Sequence, residues 1–159
     1  MFRTMLEVAI MIGFGPGELP AAWQSDYSKA VTEATASDKP LFIVICPGAS
    51  EYGRFAALGT FVSDGIERTL SSDYVRCFMD TDTPEGKELA RKFDTEEGPH
   101  FVILDRSAKW QVFYESGYLS ESRVSSILAK YRRIKLSASG RRIEEVAQAR
   151  RPDVRLCST

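Results

Sequence analysis

The sequence has 159 residues, of which 43% are hydrophobic and 27% charged, with a formal net charge of −1. That length holds one core and is short for two ordinary domains, and the composition excludes a disordered or fibrous chain. The charge is uneven: residues 130–159 carry nine Lys/Arg against three Asp/Glu and residues 1–129 carry 12 against 19, an acidic body with a basic tail.

The first segment, 1–22, joins Arg3, an apolar stretch from Val8 to Phe14 and the small pair Ala21 and Ala22, the outline of a degenerate signal peptide. Glu7 and the Gly and Pro residues interrupt it. Two expectations follow. Cleavage near Trp23 implies an exported or periplasmic protein; without it, the segment is an N-terminal arm on a cytoplasmic one. No apolar run has the length to span a bilayer.

Residues 24–36 carry Tyr27, Ala30, Val31 and Ala34 at helical spacing, with Asp38-Lys39-Pro40 as the break. Leu41 to Ile45 is an unalternating apolar run, which predicts a strand buried on both faces. A helix is expected over Ser50 to Leu58, and Ser63-Asp64 caps another over Gly65 to Leu70. Residues 74–80 form a strand. Thr83-Pro84-Glu85 is a strong helix start, with an N-cap, a first-turn proline and an acid at the positive end. That helix runs to about Phe93 and buries Leu89, Ala90 and Phe93. Residues 100–105 and 110–115 make a hairpin, and Ser120 opens a helix burying Val124, Ile127, Leu128 and Tyr131. Beyond Lys135 come a Ser-rich linker, a short helix in "RRIEEVAQARR" and a polar end. This order predicts an α/β fold with a mixed sheet of about four strands covered by helices on both faces.

Three cysteines, Cys46, Cys77 and Cys157, share no short spacing, and His100 is the one histidine. No zinc ribbon, dithiol motif or multi-histidine site can be assembled from them, and neither metal nor cofactor is expected. A Cys46–Cys77 bridge is left open at this point. Asp80, Asp82 and Glu85 lack the spacing of a calcium loop and read as a solvated helix start. The basic tail has no interleaved aromatics, so no nucleic-acid partner is expected.

Several segments together resemble the thioredoxin-like superfamily. "SDKPLFIVI" is similar to its Lys-Pro and central strand, "VRCFMDTD" to the neighbouring strand that ends in aspartate, and "ELARKFDTEEGPHFVILD" to the helix, loop and cis-proline strand, with Pro99 at the cis-proline position. "ESGYLSESRVSSIL" is similar to the closing strand, glycine and last helix. The resemblance implies a three-layer thioredoxin-like domain over about residues 23–135, followed by a basic tail, 136–159. Counted from Lys39-Pro40, the family's Trp-Cys-x-x-Cys falls on Ala49, Ser50, Glu51, Tyr52 and Gly53, and Val44 stands where a buried acid is common. Dithiol exchange needs an activated thiolate and a second thiol within reach, and neither is present there.

What remains is a peptide-binding groove, which the resemblance implies at Ala49, Ser50, Tyr52, Gly98, Pro99, His100, Gly117 and Tyr118. The expectation is a redox-inactive module for a protein or peptide partner, of open oligomeric state. Its alternatives are a monothiol oxidoreductase or redox sensor using Cys46, resolved by Cys77, and glutathione binding at Ser50, as the serine of some glutathione transferases does. His100 reads either as a titratable group facing the groove or as a plain strand residue.

Overall fold

The computed structural model describes residues 23–47, 63–95, 98–134 and 140–143. The expected helix at Ser50 to Leu58, the segment 1–22 and most of the basic tail lie outside these. Helix α1, Tyr27–Ser37, begins three residues later than its apolar spacing suggests because Asp26 caps it, its side chain accepting the Lys29 N–H. Strand β1, Leu41–Cys46, follows and is buried at every position. Helix α2, Asp64–Asp73, starts at the expected cap Ser63 and continues past Leu70. Strand β2, Val75–Asp80, leads to α3, Pro84–Lys92, capped by Thr83. The hairpin of β3, His100–Leu104, and β4, Trp110–Ser116, leads to α4, Glu121–Tyr131, capped by Ser120.

The sheet has five strands in the order β2-β1-β3-β4-β5, not about four. The addition is β5, Arg141–Arg142, antiparallel to β4 in a stretch whose charges read as helix. Three features draw it to the sheet. The outer edge of β4 supplies ladder partners, Arg142 stacks its guanidinium over Trp110 at 5.9 Å, and Ile143 is 5% exposed in the core. The Ile143 N–H donates to the Lys109 carbonyl at 3.1 Å, so Arg141, Arg142 and Ile143 are tied to the sheet.

Strand β1 runs parallel to β2 and antiparallel to β3, so both its edges are paired. Its alternate side chains feed two cores. Phe42 and Val44 join Phe101, Ile103, Ile66 and Leu70 of α2, and Val124, Ile127 and Leu128 of α4. Leu41, Ile43 and Ile45 join Val102, Leu104, Ala30 and Ala34 of α1, and Leu89 beside Phe93 from α3. Burial on both faces explains the unalternating pattern of β1. Trp23, at the expected cleavage point, is itself core: it packs against Phe42 and Phe78, and the neighbouring Gln24 bridges β2 at Cys77.

The hairpin turn is organised by Asp105, 1% exposed, whose carboxylate accepts from the Ser107 hydroxyl and the Lys109 and Trp110 N–H groups. Every partner is local. Its burial is therefore matched by hydrogen bonds, as a buried carboxylate requires.

Candidate functional site

The candidate groove lies where β1 ends and β3 begins. Ala49, Ser50 and Tyr52 fall outside the described residues, so the structure brings together Gly98, Pro99, His100, Gly117 and Tyr118. The Pro99 carbonyl accepts the Gly117 N–H at 2.9 Å, and His100 pairs with Ser116, which locks the two segments side by side.

The expected cis-proline is corrected here: no peptide bond among the described residues is cis, and Gly98–Pro99 is trans. Gly98 turns the chain through its own dihedral, φ 108°, a conformation open to glycine and costly for other residues. Gly117 has φ 90°, and a Cβ added at either glycine would meet no described residue within 4 Å. The Cβ positions of both glycines are therefore clear of the described residues, while the Gly117 N–H is taken by Pro99.

His100 is a strand residue, 3% exposed. Its Nδ1 lies 2.8 Å from the Tyr114 hydroxyl, and the two rings stack at 5.7 Å between centroids. Alternation along β3 sets its side chain on the face of Val102, opposite Phe101. Tyr114 is the member of this cluster that the sequence reading missed. Its closeness to His100 depends on the β3–β4 register, which pairs Tyr114 with Val102, and no local pattern in the sequence reports that register. Tyr114 and Tyr118 are 40% and 47% exposed, the large exposed hydrophobics among the described residues.

Cys46 and Cys77 are fully buried and belong to different cores. Cys77 is level with Ile43 and Cys46 with Asp80, an odd offset that sends the two thiols to opposite faces of the sheet. Because a disulfide needs Cβ atoms about 4 Å apart on converging bonds, this corrects both the bridge and the resolving role given to Cys77. Burial, with the Asp26 carboxylate adding to it, pushes the Cys77 thiol from 9.0 to about 12. The main chain of Cys46 is also engaged, its carbonyl accepting the Thr81 N–H at 3.0 Å. Cys157 lies outside the described residues.

At the end of β2, Asp80 makes local hydrogen bonds. Its carboxylate accepts the Asp82 N–H, and its carbonyl accepts both the N–H and the hydroxyl of Thr83. Among the described residues no cluster of three or more His, Cys, Asp or Glu is arranged to hold a metal ion. None of the described helices is long and apolar enough to cross a membrane.

No family model and no curated protein matches the chain. A solved structure does: a thioredoxin from Thermus thermophilus, studied in solution, is similar with a TM-score of 0.59 and 23% identity, over 69% of this chain and 86% of that one. The fold is thioredoxin-like. At that identity the likeness concerns architecture alone, and it agrees with the mixed sheet, the helices on both faces and the order of the elements. Within this thioredoxin-like fold, Gly98-Pro99 leads into the third strand of the chain and Cys46 closes the first.

Proposed function

We propose that the thioredoxin-like domain is a redox-inactive module that binds an extended protein or peptide segment beside Gly98 and Pro99. The observation that carries this reading is the position of the exposed aromatics. Along the chain Tyr114, stacked on His100, precedes Gly117 and Tyr118 follows it, and the Gly117 N–H is bonded to Pro99. Exposed aromatic rings beside a glycine that carries no side chain suit an extended segment, which the rings can hold by side-chain contact.

Redox inactivity is supported by the thiols. The sequence contains no two cysteines separated by two residues, and Cys46 and Cys77 point away from each other. The alternative, a monothiol enzyme or sensor on Cys46, has to work with a thiol of 0% exposure, whereas reactive thiolates need access to solvent.

Panning a displayed peptide library against the purified domain tests the reading, together with insulin reduction in dithiothreitol. An enriched extended motif is expected, bound about tenfold more weakly by Tyr118→Arg, equal to ~1.4 kcal/mol. The thermal unfolding of that variant should be unchanged, and insulin should be reduced no faster than by dithiothreitol alone. Binding indifferent to Tyr118→Arg, or catalysed insulin reduction, would sink the proposal.

A further inference from the structure

The opposite end of the sheet carries a cleft of about 400 Å³. Loops that are distant in sequence build it: Asp38 and Lys39 between α1 and β1, Arg106 in the β3–β4 turn, Arg132 and Arg133 after α4, and Asp73 at the end of α2. In the β1–β3 ladder Leu41 pairs with Leu104 at this end and Ile45 with His100 at the other. Four residues of strand, ~13 Å at about 3.3 Å each, thus separate the cleft from the Pro99 edge.

Four cationic side chains and two carboxylates line the cleft, an excess of two positive charges among the described residues. Arg106 is held in place. Its Nη1 donates to Asp38 Oδ2 at 2.8 Å and its Nη2 reaches the Arg132 carbonyl at 3.5 Å, while its Nε is buried without a hydrogen-bond partner. Part of this charge answers the helix ends, because α1, α2 and α4 all terminate here and each C-terminus carries about half a negative charge. Arg106, however, comes from the β3–β4 turn and not from a helix end, whereas Lys39 directly follows the α1 cap Asp38. The surplus that the helix ends leave has no covalent counterpart among the described residues of the cleft.

We infer that this cleft binds a phosphate group, either as the free anion or as the monoester end of a small metabolite. A phosphate monoester carries about −1.5 to −2 at neutral pH, opposite in sign to the surplus and larger than what the helix ends leave of it. Arg106 is fixed in advance by Asp38 and the Arg132 carbonyl, which leaves at most one N–H on each Nη for a phosphate oxygen, and Lys39 and Arg133 add charge at the rim.

The test is to titrate the full chain with inorganic phosphate and, separately, with AMP at constant ionic strength, following backbone amides by NMR. Saturable shifts at residues 38–39, 106 and 132–133 are expected with at least one probe. Tighter binding of AMP identifies a monoester as the ligand, and equal or tighter binding of inorganic phosphate identifies the free anion. The double variant Lys39→Gln/Arg133→Gln keeps the Arg106–Asp38 pair intact and should weaken binding by about tenfold or more, the scale of one charge-assisted hydrogen bond. Shifts that stay linear to millimolar concentration, that chloride reproduces, or that the double variant leaves unchanged would overturn the inference.

Discussion

Gly86 lies in the first turn of α3, where the sequence suggests an ordinary helical position. A Cβ built there would lie 1.8 Å from the Asp80 carbonyl oxygen and 2.4 Å from its carbon. That carbonyl cannot withdraw, because it accepts both Thr83 hydrogen bonds. Gly→Ala normally favours a helix by up to about 1 kcal/mol. Here the sign reverses: Gly86→Ala should lose about 2 kcal/mol or more of unfolding free energy, measured by urea denaturation. The Tyr114–His100 contact belongs to the same class of residue-scale facts. Each depends on an atom several residues away in sequence, and neither leaves a local signature.

At the scale of elements, the parts with local causes were legible. Ser63, Thr83 and Ser120 mark the helix starts, and their side chains accept N–H groups three residues on, as caps do. The buried strand Leu41–Cys46 declares itself by hydrophobicity alone. Strand β5 was not legible, because two arginines and an isoleucine are too short to show a period and depend on an edge supplied by β4. Its anchor gives a test. Ile143→Ala should cost about 2 kcal/mol of stability in chemical denaturation, at the low end for a buried isoleucine because the contact closes an edge. A cost near zero would mean that the strand is not held through the core.

Across the whole molecule, the layers make stability sensitive to alkali. Burial raises the Cys77 thiol from 9.0 to about 12, and burial with the neighbouring Cys77 raises the Tyr27 hydroxyl from 10.0 to about 12. Below about pH 9 both groups are protonated in folded and unfolded chains, so their contribution is fully present. From there to about pH 12 the unfolded chain releases the protons and the fold retains them, so stability falls by up to about 1.4 kcal/mol per pH unit for each group. Urea midpoints measured from about pH 8 to 11 should show this decline, and Cys77→Ala should flatten its lower part. A decline that survives Cys77→Ala unaltered would place its origin elsewhere.

The sequence by itself determined the class of fold, the order of the described elements up to α4, the caps Ser63, Thr83 and Ser120 and the lack of a Cys-x-x-Cys motif, since these follow from local propensity, apolar pattern and cysteine spacing. Tertiary structure decided the rest. It assigned Cys46 and Cys77 to opposite faces, made Gly98 rather than a cis bond turn the chain, set Tyr114 against His100, and gathered Lys39, Arg106, Arg132 and Arg133 around one cleft. The physical reason is strand register. A ladder alternates its side chains between faces, so a one-residue shift exchanges every neighbour while leaving the composition and periodicity of the sequence as they were.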